Sequence, residues 1–193
     1  KYGWGAKKLQ VLLQQEGLQV SLATLNRIFD RNDLILLHNR HHAATKRFER
    51  ERPNMLWQMD FKGHFMISEG RCYPLSILDD HSRFLIGLYP LLGQRAEMVH
   101  DCLLQVFDRY GLPDAMLMDH GLPWWNANGN QGLSLLSTDL IKQGIRLYFA
   151  GYRHPQTQGK VERFHGTLQQ ALDHHGRPTA LQACTDMFSS LRQ

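Results

Sequence analysis

Asp60, Asp119 and Glu162 are the acidic residues whose surroundings in the sequence suggest chemistry. Asp60 interrupts a strand-like run, W-Q-M-D-F-K, in which a charged group is costly unless something pairs with it. Asp119 follows a short apolar run, at the kind of strand end from which many α/β sites project ligands. Glu162 falls in the first turn of a predicted helix and points off its apolar face. Because hard divalent cations take carboxylate oxygens, these acids are candidate ligands of a catalytic metal ion.

Each of these acids also has an ordinary structural explanation. Asp119 could be a turn residue, Glu162 a favourable charge at a helix N-terminus and Asp60 a charge at a strand edge. The three residues are 59 and 43 positions apart, so only a fold could gather them. The pattern of single residues therefore leaves both interpretations open.

The order of strands and helices predicted around these acids is that of a mixed α/β domain. Three runs rich in aromatic and aliphatic residues predict an antiparallel meander over residues 56–65, 73–78 and 84–90. A helix with Val99 and Tyr110 on one face ends at Gly111, and the strand 115–118 follows. Further elements are predicted as a helix over 137–143, a strand over 145–149, a helix over 159–172 and a last helix starting near Pro178.

Two short helices are predicted before this domain. Leucines at helical spacing mark them, Gly17 ends the first helix and Ser21 caps the second. This outline is that of a helix-turn-helix, whose second helix would offer Arg27 and Arg31 to a DNA groove. A plain helical hairpin packed on the domain is the alternative. We therefore divide the chain into a helix-turn-helix segment (1–37), a basic linker (38–53) and a core (54–193).

Charge and composition agree with a DNA-binding arm on a separate body. Residues 1–53 carry ten Lys or Arg against five Asp or Glu, whereas the remaining residues carry twelve against thirteen. A solvated charged linker would give the same asymmetry.

No run approaches the ~18 apolar residues of a membrane span, so we expect no membrane association and a cytoplasmic location. The three cysteines, far apart and without a C-x-x-C pair, predict buried apolar residues rather than disulfides or a zinc knuckle. The chain starts at Lys1, and we expect a fragment.

Longer motifs carry a resemblance to a known family. They are W-Q-M-D-F-K-G at 57–63, L-D-D-H-S-R-F at 78–84, Y-G-L-P at 110–113, D-H-G at 119–121 and Y-R-H-P-Q-T-Q-G-K-V-E-R-F-H-G-T-L at 152–168. Together they resemble the integrase-core insertion-sequence transposases, the bacterial DDE type. The segments W-G-A-K-K-L and V-S-L-A-T-L-N-R-I resemble the helix-turn-helix of that family. One departure is His120, which follows Asp119 where the family usually has Asn.

The resemblance implies a ribonuclease-H-like fold, with a mixed sheet of three antiparallel and then two parallel strands flanked by helices. It places the family's catalytic and metal-binding acids at Asp60, Asp119 and Glu162. Two Mg²⁺ or Mn²⁺ ions held there would clamp the attacking and leaving oxygens of a phosphoryl displacement. The implied activity is phosphodiester hydrolysis and strand transfer during transposition. The implied partners are double-stranded DNA, at element ends and target, and further copies of the chain, in the nucleoid of a bacterial cell.

Basic residues near the acids are predicted DNA contacts. Lys160 is the preferred one, because the resemblance extends through it, and a solvated helix face is the alternative for each of them. The full set is Lys160, Arg163, His165, Lys62, Arg27, Arg31, Lys46 and Arg47. Asp79 and Asp80 are predicted to cap their turn and to pair with Arg83. For Trp124 and Trp125 we expect packing rather than stacking on a base.

Three other interpretations compete with a transposase. One is a ribonuclease-H-like nuclease that cuts without joining, and another is a DNA-binding protein that uses the core only as a scaffold. A retroviral-type integrase is disfavoured, because the paired His and paired Cys of its zinc-binding N-terminal module are missing from the sequence.

Overall fold

Two short helices precede the core, as predicted. The structure is a computed structural model that describes residues 5–32, 34, 49–126, 132–150 and 159–192. Helix α1 spans Ala6–Gln15 and helix α2 spans Leu22–Arg31. Gly17 follows α1 with a φ of 81°, in the left-handed region that favours glycine, and Ser21 Oγ caps α2 by accepting from the Thr24 amide at 3.1 Å. Both predicted helix boundaries are confirmed.

The core is built on one mixed sheet of six strands. These are β1 (Trp57–Phe61), β2 (Phe65–Ile67), β3 (Gly70–Asp79), β4 (Leu85–Leu91), β5 (Ala115–Met118) and β6 (Arg146–Phe149). The path of paired strands runs β2-β3-β1-β5-β6. β4 also pairs with β3, along the edge opposite to the one that pairs with β1. β3 pairs antiparallel with β1, β2 and β4, whereas β5 pairs parallel with β1 and β6. The predicted fold, an antiparallel group followed by two parallel strands, is confirmed.

The predicted strand over 56–65 is two strands in the structure. β1 and β2 pair with successive stretches of β3, and three residues, 62–64, lie opposite two of β3 between the pairs Phe61↔Leu75 and Phe65↔Cys72. Gly63 lies in this interruption with a φ of 50°. An extra residue of this kind bends a strand and breaks its pairing. Apolar periodicity does not reveal it, because the run of strand-forming residues continues on both sides.

Four helices cover the two faces of the sheet. They are α3 (Ala96–Tyr110), α4 (Leu135–Lys142), α5 (Gly159–His175) and α6 (Leu181–Leu191). One apolar layer joins α3 and α4 to the sheet through buried residues such as Met59, Leu103 and Leu140. The other layer joins α5 and α6 to it through Leu168 and Phe188 among others. Successive strand residues point to opposite faces, so Met59 faces the first layer and its neighbours Gln58 and Asp60 face α5.

The predicted elements and the predicted state of the cysteines agree with the structure. All predicted helices and strands are present, with ends that differ by a few residues; the last helix begins at Leu181 rather than near Pro178. Cys72, Cys102 and Cys184 are free and buried, as predicted. Within the part of the chain that the structure describes, no helix combines the length and the apolar character needed to cross a membrane.

Candidate active site

The pairing of β1 with β5 brings the two aspartates together. The parallel register pairs Trp57 with Met116 and Gln58 with Leu117, an offset of 59 residues. The same offset, continued for two residues, places Asp60 beside Asp119. Neighbouring residues of parallel strands point to the same face, so the continued register predicts both carboxylates on the face covered by α5. The effect of the Asp119 carboxylate on the pKa of Asp60 agrees with this proximity. The 59-residue spacing noted in the sequence is therefore the register of two adjacent strands.

Asp60 lies in a partly buried, negatively charged environment. Its side chain is 21% exposed, and its Oδ1 accepts a hydrogen bond of 2.8 Å from the Phe61 amide. The pKa of Asp60 is raised to about 7, mainly by burial and then by the carboxylates of Asp119 and Glu162, against the lowering effect of the Phe61 N–H. A nearby divalent cation would reverse this effect, because it favours the charged form.

Asp119 is held by two donors on one oxygen. Its Oδ1 accepts from the Gly121 amide at 2.9 Å and from the indole Nε1 of Trp124 at 2.7 Å. Trp124 is fully buried, and its ring stacks on Phe61 at 5.4 Å. Both of these hydrogen bonds go to Oδ1, and none to Oδ2 of Asp119 is found among the described residues.

His120 does not take part in holding Asp119. It is exposed, and its ring lies against the rings of Trp125 and Phe149, at 4.6 and 5.7 Å. The departure from the usual Asn therefore leaves the two donors to Asp119 in place. Packing of both tryptophans, rather than an open stacking platform, is confirmed.

Glu162 lies in the first turn of α5, as predicted, and its side chain is exposed. The start of α5 is attached to the sheet: the Val161 amide donates to Gln58 Oε1 at 3.3 Å, and Lys160 Nζ lies 2.9 Å from Asp80 Oδ1. Gln58 was not singled out in the sequence. The available signal was its spacing, since a polar residue two positions before Asp60 on a strand shares the face of Asp60.

The basic residues near the acids differ in their availability to DNA. Arg163 is exposed, whereas Lys160 is 15% exposed and turned toward Asp80. His165 is 13% exposed, with Nε2 at 3.2 Å from Ser76 Oγ and Nδ1 at 3.9 Å from Asp60 Oδ2. Burial, aided by Lys62, lowers the pKa of His165 to about 4, so this histidine is neutral near pH 7. Lys62 Nζ donates to Gln169 Oε1 at 2.5 Å.

The other predicted contacts precede the core in the sequence. Arg27 and Arg31 are exposed on α2, while Lys46 and Arg47 lie outside the described residues. Whether any of these residues contacts DNA stays a prediction.

Asp79 caps the turn between β3 and β4, as predicted, whereas the prediction for Asp80 is wrong, because its carboxylate accepts from Gln58 and the Arg50 amide and pairs with Lys160. Asp79 Oδ1 accepts from the amide and hydroxyl of Ser82, both at 2.7 Å. The expected pairing of this turn with Arg83 is wrong, because Arg83 Nη2 lies 3.9 Å from Glu49 Oε2 instead. Arg83 has a φ of 62°, a left-handed conformation that belongs to the tight turn.

The three acids are of the chemical type that binds divalent metal ions, but their side chains are not gathered into one ligand group in the structure. Among residues 5–32, 34, 49–126, 132–150 and 159–192, no three His, Cys, Asp or Glu side chains converge into a metal-binding group. Asp60 on β1 and Asp119 directly after β5 offer hard oxygen ligands, and Glu162 influences the Asp60 carboxylate from α5. The exposed, flexible Glu162 side chain would have to turn toward the aspartates to complete a site.

The mixed sheet, with helices on both faces and aspartates at neighbouring strand ends, is that of a ribonuclease-H-like core. The family described as "Integrase core domain" matches residues 50–176. The chain belongs to this family. Proteins with this integrase core are polynucleotidyl transferases, the enzyme class that the sequence predicted.

Curated relatives are found among retroviral polyproteins. The chain is 33% identical over 131 residues to the Pol polyprotein of Feline endogenous virus ECE1, covering 66% of the chain and 12% of the polyprotein. It is 32% identical over 133 residues to the Gag-Pol polyprotein of Baboon endogenous virus (strain M7), covering 67% of the chain and 7% of the polyprotein. The chain thus spans a small part of these relatives.

Solved structures show the same fold. A simian T-cell lymphotropic virus intasome in complex with PP2A regulatory subunit B56 gamma matches with a TM-score of 0.59 and 17% identity, covering 94% of this chain and 63% of that chain. The HTLV-2 integrase catalytic core domain in complex with magnesium matches with a TM-score of 0.53 and 19% identity, covering 73% and 86%.

These comparisons do not support our preference for a bacterial transposase over a retroviral-type integrase. The relatives named above are retroviral, and the family match lies over residues 50–176. The preference rested on the motifs of the core, which both groups of proteins share, and the retroviral type was disfavoured only because a zinc-binding module is missing before the core.

Proposed function

We propose that the chain is the catalytic core of a DDE transposase or integrase, which hydrolyses a phosphodiester at the ends of a mobile element and joins the freed 3′ end to target DNA. The observation that carries this proposal is the register of β1 and β5, which brings Asp60 and Asp119 to one face of the sheet beneath the helix that carries Glu162. Two divalent ions held by these acids would supply an activated attacking oxygen and a stabilised leaving oxygen.

The residues of the chain itself would position the acids and the DNA. Trp124 and Gly121 hold Asp119 by one oxygen and leave the other for a ligand. Arg163, exposed one residue after Glu162, would contact a phosphate next to the reacting one. Arg27 and Arg31 on α2 would contact the duplex further away, as parts of a helix-turn-helix segment (1–37) joined to the core (54–193) by a basic linker (38–53).

The partners in this proposal are double-stranded DNA and further copies of the chain. The HTLV-2 core is described in dimeric and trimeric forms and the simian virus protein in an intasome, and we infer a similar oligomer on DNA here. A bacterial element would place the protein at the nucleoid. A retroviral-type element is the alternative that the curated relatives favour.

A labelled duplex carrying the element end, incubated with Mg²⁺ or Mn²⁺ and a target plasmid, tests the reaction. Asp119→Asn should abolish both cleavage and recombinant products, with Asp114→Asn as the control, because Asp114 is a surface carboxylate paired with Arg52. Full strand transfer by Asp119→Asn would refute the proposal. Cleavage without recombinant products would indicate a nuclease, and unchanged function after replacing Asp60 and Glu162 by Ala would indicate a scaffold.

A further inference from the structure

We propose that Lys160 and Asp80 form a positioning pair that anchors the first turn of α5 to the sheet and so sets the place of Glu162. This inference rests on the proposed function, since Glu162 must reach the aspartates for that function. It also assigns Lys160 a role different from the phosphate contact predicted from the sequence.

The pair is buried and makes more than one contact. Lys160 Nζ lies 2.9 Å from Asp80 Oδ1 and also donates to the Asp80 carbonyl oxygen. The Asp80 side chain is 0% exposed, and the Lys160 side chain is 15% exposed. Asp80 Oδ1 additionally accepts from Gln58 Nε2 at 2.7 Å, and its Oδ2 accepts from the Arg50 amide at 2.8 Å. The carboxylate is thus fully engaged, with Lys160 as its cationic partner.

The same network reaches the strand that carries Asp60. Gln58, which donates to Asp80 through Nε2, accepts the Val161 amide through Oε1 at 3.3 Å. Gln58 lies two residues before Asp60 on β1, and Lys160 lies two residues before Glu162 on α5. One set of hydrogen bonds therefore connects β1, which carries Asp60, to α5, which carries Glu162.

The placement of Lys160 is otherwise unfavourable. The first turn of a helix carries free amides and the positive end of the helix dipole, which disfavours a cation there. A buried carboxylate opposite the ammonium offsets this repulsion, and the Gln58 carbonyl satisfies one of the free amides. Replacing a buried ion pair by apolar residues often leaves stability unchanged, so we assign this pair a role in fixing the position of α5.

Contact with a phosphate would require Lys160 to leave Asp80. The Asp80 carboxylate would then remain buried without its cation, which is strongly unfavourable. Arg163 is the exposed cation on the same turn and can reach a phosphate without this loss.

The test compares Lys160→Met, Asp80→Asn and the double variant with the wild-type chain, with Arg163→Met as the matched control for loss of a cation. The double variant is the decisive one, because each single variant leaves an uncompensated buried group and can fail to fold. The measurements are kcat and KM for Mn²⁺-dependent cleavage of the duplex, the salt dependence of DNA affinity and the Mn²⁺ concentration that gives half of the thermal stabilisation. Amide hydrogen exchange of Val161 reports on the anchor independently of activity.

If the pair positions α5, the folded double variant should lose at least tenfold in kcat, while KM and DNA affinity stay within twofold of the wild-type values. It should also require a higher Mn²⁺ concentration for half of the thermal stabilisation, and its Val161 amide should exchange faster. Recovery of the wild-type kcat in the double variant would mean a purely structural pair and would overturn the inference. Weakened DNA affinity with a reduced salt dependence, as expected for Arg163→Met, would mean a phosphate contact and would also overturn it. If the wild-type chain cleaves no DNA, the proposed function fails, and the Val161 exchange rate still decides whether the pair anchors α5.

Discussion

The indole Nε1 of Trp124 donates a hydrogen bond of 2.7 Å to Asp119 Oδ1. The same buried ring stacks on Phe61, whose amide donates to Asp60 Oδ1 at 2.8 Å. One aromatic side chain thus contacts the second aspartate directly and packs on the residue that orients the first. Hydrogen bonds to a charged acceptor are shorter and stronger than neutral ones, so this contact fixes the direction of the Asp119 carboxylate.

Trp124→Phe removes the N–H donor and keeps a ring that can stack on Phe61. We expect metal-dependent cleavage to fall about tenfold or more, the effect of losing one hydrogen bond to a charged group, while DNA affinity stays unchanged. Single-turnover cleavage assays and DNA titrations measure the two effects. Trp125→Phe is the control, because Trp125 packs on His120 and Phe149 and makes no hydrogen bond to Asp119. Equal rates for the two variants would show that the indole donor has no role.

Gly121→Ala should displace the Asp119 carboxylate. A Cβ atom at residue 121 would lie 2.8 Å from Asp119 Oδ1, closer than such atoms approach in proteins. Because the obstacle is the end of a side chain, that side chain can move aside, so the fold should persist while cleavage is lost. Thermal unfolding and cleavage rates separate these effects. Gly93→Ala, whose new Cβ would lie no closer than 3.9 Å to the atoms around it, should change neither, and a similar outcome for Gly121→Ala would contradict the expectation.

Asp60→Asn should stabilise the metal-free chain at pH 8. The pKa of Asp60 in the folded chain is raised to about 7 by burial and by the neighbouring carboxylates, above its ordinary value of 3.8. The stability that depends on this group is therefore present below pH 4 and is lost as the pH rises through about 7. With EDTA present, we expect Asn to add on the order of 2 kcal/mol at pH 8 and little at pH 4.

Denaturant unfolding at the two pH values measures this effect. Asp108→Asn, at an exposed carboxylate of α3, is the control and should show no such difference. If the wild-type chain is as stable as Asp60→Asn at pH 8, the environment of the Asp60 carboxylate does not disfavour its charged form.

Arg27→Ala combined with Arg31→Ala should weaken binding to duplex DNA. Both residues are exposed on α2, the second helix of the pair, and removal of one phosphate-binding cation reduces the slope of log affinity against log salt by about one. Fluorescence anisotropy at several salt concentrations measures that slope. Lys7→Ala with Lys8→Ala removes the same charge from α1 and should have the smaller effect. A larger effect of the lysine pair would assign DNA binding to α1 instead.

The sequence predicted the order of the elements because each of them buries an apolar face of clear period. It predicted β5 to the residue, since the apolar run begins two residues after Pro113 and ends at Asp119. It did not predict the break between β1 and β2, which depends on one extra residue opposite β3. It also did not predict the pairing of Arg83 with Glu49, because the local pattern suggested only the neighbouring aspartates as partners of Arg83.

The acids of the site were predicted through long motifs, and their supporting contacts were not. Lys160 and Asp80 are 80 residues apart, and no local pattern joins them. Trp124 was predicted to pack, which it does, yet its donor role depends on a turn that brings it five residues back to Asp119. Contacts of this kind depend on how elements meet in three dimensions, and single-sequence periodicity carries no information about that.

The pairing of β1 with β5 also determines which changes of chain length the protein can accept. The segment 92–114, which contains α3 and connects β4 to β5, can gain or lose residues in its loops without moving Asp119 relative to Asp60, because the ladder of β1 and β5 fixes their alignment. A single-residue insertion between Gln58 and Asp60 would instead turn the first carboxylate into the apolar layer that holds Met59. Homologous chains should therefore vary in the number of residues between the two aspartates while keeping the aspartates opposite each other on adjacent strands.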